Sequence, residues 1–198
     1  MTDKRLEDAL YIVKNRMFSK MPEEFKKLNV PLFMSGSMLY NCYHSRIDKH
    51  DIDVFVPIMD NPDTQVVQDV LRTRIGLAPI ITYNGKVTFE KFVDAYKYQL
   101  TAVQTPSLAM LDVIRDFDFA HTMWYYSRST NNQAYLMEAC ENAIVNNVLS
   151  LNPKFYPLFE DKTIGSEKKE QIKSRYYKFI NRGMSPDART SELIEDSL

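Results

Sequence analysis

Asp51 and Asp53 stand one residue apart in DIDVFVP (51–57), a run whose other members are mostly apolar. Side chains alternate along an extended strand, so both carboxylates fall on one face, about 6–7 Å apart, with Ile52 and Val54 on the other. A covered carboxylate is costly unless an opposite charge or a cation meets it. Two at this separation can share divalent ions whose own charge removes that cost. Mg²⁺ suits such a pair because it takes one or two carboxylates and completes its shell with phosphate oxygens and water. Thirteen residues upstream of the pair ends the dipeptide Gly36-Ser37. Glycine lets backbone approach a ligand closely, and a helix starting at Ser37 would direct its free N–H groups and positive dipole end at an anion. The Ser37 hydroxyl could add one hydrogen bond to a phosphate.

The last helical stretch, GSEKKEQIKSRYYKFINRG (165–183), adds cations. Lys168, Arg175 and Arg182, with Lys178 nearby, fall along one stripe, and Ile172, Tyr176, Phe179 and Ile180 form the adjacent apolar face. Such a helix docks on a core and aims its charges at a triphosphate or a polynucleotide backbone; a plain solvated face is the competing reading.

Gly36-Ser37, thirteen residues, then Asp51-Ile52-Asp53-Val54 resembles the motif of the nucleotidyltransferase superfamily typified by DNA polymerase beta: Gly-Gly or Gly-Ser, an interval, then Asp-x-Asp between apolar residues. The interval lies at the long edge of the family range, and Ser35 stands where the family usually has an apolar residue. The order of strands and helices extends the resemblance over roughly residues 25 to 126. It implies an α/β (α+β) fold, a mixed β-sheet flanked by helices with a small C-terminal helical region, in a small stand-alone member.

The family places a third carboxylate on a later strand. Asp118 in RDFDFAHTMWYY is the favoured candidate, Asp116 the runner-up and Asp94 a weaker third; the strand YKYQLTAV itself carries none. The resemblance then implies transfer of a nucleoside monophosphate from a nucleoside triphosphate to a hydroxyl on an RNA or DNA end, a protein or a small molecule. Asp51, Asp53 and Asp118 would hold two Mg²⁺ ions, with Mn²⁺ as the alternative. Gly36, Ser37, Arg175, Lys178 and Arg182 would hold the nucleotide. The competing class is a catalytically inactive nucleotidyltransferase fold that binds nucleotide or RNA.

The elements that must position these residues are legible in outline. Leu6, Leu10, Val13 and Met17 recur at helical spacing after a cap at Thr2 or Asp3; EEFKKL is a short helix and VPLFM (30–34) a buried strand. Helices are expected over 61–74, from Thr105-Pro106 to Arg115, over 133–149 and over 165–183. Asn84-Gly85 between IITY and KVTF signals a hairpin. YKYQLTAV (96–103) and DFAHTMWYY (118–126) read as strands. The catalytic domain is expected over 1–130, a helical region over 131–184, and a mobile acidic tail over 185–198.

Composition limits the alternatives. The 198 residues carry 25 Lys and Arg against 26 Asp and Glu, so no global electrostatic grip on nucleic acid is indicated. Two cysteines, Cys42 and Cys140, without metal-ligand spacing exclude a disulfide framework and argue against a zinc site. His44, His50 and His121 read as surface or core histidines. Charges run through the N-terminal segment and no apolar stretch reaches membrane-spanning length, so a cytoplasmic protein with no membrane partner is expected.

Overall fold

Asp3 caps the first helix: its carboxylate accepts from the N–H groups of Arg5 and Leu6, two of the donors that every helix start leaves unpaired. Helix α1 (Lys4–Ile12) continues into a π-helical turn (Val13–Phe18), and Leu6, Ala9, Val13 and Met17 form one buried stripe across both. The computed structural model describes residues 3–26, 31–46, 51–57, 79–81, 87–103, 109–127, 134–161 and 166–196.

After a short α2 (Glu23–Lys26) come strand β1 (Phe33–Ser35), helix α3 (Met38–Tyr43) and strand β2 (Asp51–Pro57). Strands β3 (Pro79–Ile81), β4 (Val87–Val93) and β5 (Tyr96–Val103) follow. The helix expected over 61–74 and the Asn84-Gly85 turn lie outside the described residues, but β3 and β4 pair antiparallel on either side of that turn. Helix α4 (Met110–Arg115), a 3₁₀ turn (Ala120–Thr122), β6 (Trp124–Ser127) and β7 (Ala134–Leu136) lead to helix α5 (Glu138–Val145). The chain ends with β8 (Val148–Leu149), α6 (Tyr156–Glu160), α7 (Glu167–Ile180), β9 (Ser185–Pro186) and α8 (Ala188–Glu195).

Seven strands form one sheet in the order β3-β4-β5-β2-β1-β6-β7. β2 and β5 run parallel and the other pairs antiparallel, so the sheet is mixed and flanked by helices, as expected. Ile52, Val54 and Val56 face the main core with Leu6, Met17, Tyr98 and Leu100. A smaller cluster of Phe33, Val103, Met110 and Ile114 forms a second apolar layer.

Three stretches depart from expectation. DFAHTMWYY is not one strand. Ala120–Thr122 turns as a 3₁₀ helix because the Thr122 hydroxyl donates to the Phe119 carbonyl at 2.7 Å, a local bond that competes with a ladder, and the strand begins only at Trp124. Residues 133–149 are not one helix: Ala134–Leu136 pair with Trp124–Tyr126, and the helix starts after Met137. Here a tertiary partner, the open edge of β6, overrides local helical preference. Because β7 belongs to the main sheet, the region beyond residue 130 contributes a strand as well as helices.

The acidic chain end is not a mobile tail. Asp187 caps α8 by accepting from Thr190 N at 2.7 Å, and Thr190, Leu193 and Ile194 are buried. Tyr176 Oη donates to Glu195 at 2.6 Å, and the Thr190 hydroxyl oxygen accepts from Leu151 N at 2.8 Å. Net charge misled because the acids occupy the exposed side of an amphipathic helix.

Thr190→Val keeps the side-chain shape and removes the acceptor of a buried N–H, which costs about 1–3 kcal/mol. The urea midpoint of the variant should fall accordingly; an unchanged midpoint would show that α8 lies outside the cooperative unit.

Candidate functional site

The antiparallel register of β1 and β2 sets Ser35 opposite Asp53, so the chain turns at Gly36 directly beside that carboxylate. Gly36 has φ +83°, and a Cβ there would run into the Asp53 carboxylate. Both facts require glycine. Trp124 pins the turn: its Nε1 donates to the Gly36 carbonyl at 2.6 Å, while the buried Ser35 hydroxyl donates to the Trp124 carbonyl. Ser35 is thus a hydrogen-bonded peg. Ser37 stands at the N-terminus of α3 and makes no capping bond with its side chain.

Gly36, Ser37, Asp51 and Asp53 line one cleft of about 580 Å³. Alternation along β2 turns Asp51, Asp53 and Phe55 into it and leaves Ile52, Val54 and Val56 in the core. The Asp53 carboxyl is pushed up to about 6, first by burial and then by the charge of Asp51; Lys178, Arg175 and Lys97 pull the other way. Burial of one carboxyl beside a second makes ionisation of the pair costly. A divalent ion would offset that cost, and the donor set of two carboxylates fits one.

The parallel register of β2 and β5 places Lys97 beside Asp51 and Gln99 beside Asp53. Lys97 Nζ is 3.1 Å from Asp51 and 3.4 Å from Glu90 of β4, and Gln99 Nε2 donates to the same Glu90 carboxylate. Burial acts to lower the Lys97 ammonium, but Asp51 and Glu90 outweigh it and hold it above its usual range. Sequence reading missed these three residues. The alternation of YKYQLTAV sets Lys97 and Gln99 on one strand face, but only the register brings that face to the aspartates.

Asp118 reaches the cleft from the irregular segment before the 3₁₀ turn, not from a strand. It is buried, and both oxygens are engaged: Lys168 Nζ lies 2.5 Å from Oδ1, and Arg175 donates to Oδ2. Among the described residues no group of three or more His, Cys, Asp or Glu is placed to hold a metal ion. The three aspartates therefore share a cleft, but Asp118 meets cations of α7 rather than the other two carboxylates. Asp116 also lines the cleft and pairs with Lys154, whereas Asp94 pairs with Lys20 at 3.3 Å and is not part of the lining.

Helix α7 is placed by its apolar stripe. Ile172, Tyr176 and Phe179 are buried, and Lys168, Arg175, Lys178 and Arg182 line the cleft, so the stripe expected from spacing is not a plain solvated face. The Lys178 ammonium sits below its usual range, chiefly from burial and then from Arg182, while Asp51 and Asp53 act in the opposite sense. Arg182 lies over the Phe179 ring, 5.7 Å from its centroid. His121 beneath it is a core histidine: burial and then Arg182 lower it to about 3, and its nearest ring is Phe179, with centroids 4.3 Å apart. His44 Nε2 contacts the Ile144 carbonyl at 2.9 Å, and His50 lies outside the described residues.

No family model and no curated protein matches the chain in sequence. Solved structures do match in fold. A CCA-adding enzyme in its apo form aligns with TM-score 0.59 at 12% identity, covering 95% of this chain and 44% of that one. A CCA-adding enzyme in complex with ATP aligns with TM-score 0.57 at 10% identity, over 99% and 42%. A tRNA-processing enzyme with CTP aligns with TM-score 0.54 at 15% identity, over 88% and 45%. The chain therefore has the fold seen in these enzymes and spans less than half the length of each. Among the described residues no helix is long and apolar enough to cross a membrane.

The raised Asp53 carboxyl has a consequence for stability. Its affinity for the proton is higher folded than unfolded, so stability falls as pH rises from about 4 to about 6 and stays reduced above. Asp53→Asn should therefore be more stable than the wild type at pH 7.5, on the order of 2 kcal/mol, and gain little at pH 4. Denaturant unfolding at both pH values checks this; a variant no more stable at pH 7.5 contradicts it.

Proposed function

We propose that the protein transfers a nucleoside monophosphate from a nucleoside triphosphate to the 3′ hydroxyl of an RNA, in a reaction that depends on Mg²⁺ or Mn²⁺. The observation that carries this reading is the shared cleft. An acidic pair on β2, the Gly36-Ser37 turn and the cations Lys178 and Arg182 line one space. The fold likeness to a tRNA-processing enzyme solved with CTP and a CCA-adding enzyme solved with ATP supports the substrate classes.

Asp51 and Asp53 would hold the divalent ion, which when bound neutralises phosphate charge and favours the attacking hydroxyl in its ionised form. Lys178 and Arg182 bind phosphate oxygens, and Gly36 leaves room for the phosphates to approach backbone. The acceptor oxygen then attacks the α-phosphorus, pyrophosphate departs, and the hydroxyl proton passes to solvent. No covalent enzyme intermediate is needed. A specific observation favours one second reading, a binding module without catalysis: Asp118 is occupied by Lys168 and Arg175, and β5 offers no carboxylate beside the acidic pair.

Incubation with each labelled triphosphate, Mg²⁺ and an RNA with a free 3′ end tests the proposal. Label should pass to RNA, and Asp51→Ala/Asp53→Ala should lower the rate about 100-fold or more, the scale seen when transition-state charge stabilisation is removed. Transfer that survives the double substitution would sink the mechanism, and triphosphate binding without transfer would establish the binding module.

Lys178→Ala and Arg182→Ala should each raise the KM for triphosphate about tenfold, since a hydrogen bond to a charged group is worth about 1.5–3 kcal/mol. Initial rates against triphosphate concentration decide this; an unchanged KM in both variants removes α7 from the nucleotide site.

A further inference from the structure

We propose that the Lys97 ammonium stands in the place of a second cation beside Asp51, so that this centre takes one divalent ion where the family resemblance implies two. The inference rests on the nucleotidyl-transfer reading above and concerns what the chain itself supplies to that reaction.

Strand β5 is the parallel neighbour of β2, and its residues opposite the acidic pair are Lys97 and Gln99. Neither is a carboxylate. The further carboxylate on this part of the sheet is Glu90, which lies across from Gln99 on β4. Glu90 is engaged already: Lys97 Nζ is 3.4 Å away, and the Gln99 amide donates to it. The same Nζ is 3.1 Å from Asp51, so one ammonium bridges the two carboxylates and occupies an oxygen of each. Asp118, the other source of a third ligand, has both oxygens on Lys168 and Arg175.

Charge balance points the same way. Counted over the strand groups alone, Asp51, Asp53 and Glu90 bring three negative charges and Lys97 one positive charge, a remainder of two that a single divalent ion cancels, with Arg175 and Lys178 adding positive charge from α7. A second dication would leave the group as positive as it had been negative and would have to displace the ammonium. Lysine suits the place because it is a compact point charge with three donors and no coordination geometry to satisfy. Its compensation is built into the chain and independent of ion concentration.

Equilibrium dialysis against Mn²⁺ and a triphosphate analogue with a methylene between the α and β phosphorus atoms counts the ions held per chain. One Mn²⁺ is expected for the wild type. Lys97→Ala, which releases Asp51 and Glu90, should hold two, and Lys97→Arg should keep one. Two ions in the wild type would overturn the proposal while leaving nucleotidyl transfer standing. A Lys97→Ala protein that still holds one would overturn the role given to Lys97. No ion in the wild type would overturn both this proposal and the ion-dependent reading of the site.

Discussion

Two carboxylates side by side on the middle strand of a seven-stranded sheet are the constraint from which the rest of the structure follows. Asp51 and Asp53 share a face of β2 while Ile52, Val54 and Val56 tie the strand into the core. The strand cannot move away to hydrate its acids without unpacking the sheet. Positive charge must therefore come to them. Lys97 arrives from β5, and Arg175 and Lys178 from α7. Burial and the charge of Asp51 nonetheless push the Asp53 carboxyl up to about 6. A buried acidic pair beside a glycine turn is the arrangement on which the proposed cation and phosphate site rests.

Helix α7 brings its cations to that site. Its apolar stripe buries Ile172, Tyr176 and Phe179, and its neighbouring stripe carries the cations into the cleft. Asp118 receives two of those cations and so locks the helix at its angle. Helix α8 then closes over the far side through Tyr176–Glu195 and Thr190–Leu151. Positioning of the cationic stripe thus depends in part on residues outside the cleft, among them Ile172, Tyr176 and Glu195.

The core of the site was legible in the sequence because each part is local. Asp-Ile-Asp-Val reports its face by alternation, Gly36 reports a turn that no side chain can occupy, and the spacing of Lys168, Arg175 and Arg182 reports one helical stripe. Asp118 was found in the cleft but in different company. The order of residues around it resembles a strand, whereas the Thr122 hydroxyl bonds backward to Phe119 and turns the chain. Lys97, Gln99 and Glu90 went unnoticed because nothing in YKYQLTAV or KVTFEKFV says which strand lies alongside or in what register.

The sequence by itself determined the acidic pair, the glycine turn, the cationic helix and the mixed α+β order, since periodicities of two and 3.6 residues and the φ of glycine are properties of short segments. The tertiary structure decided who stands beside whom. It paired β5 with β2 in a register that sets an ammonium next to Asp51, drew Ala134–Leu136 onto an open sheet edge, and folded an acidic chain end into a docked helix. Those outcomes depend on contacts between segments tens of residues apart, where the energy of a partner exceeds the preference of the segment itself.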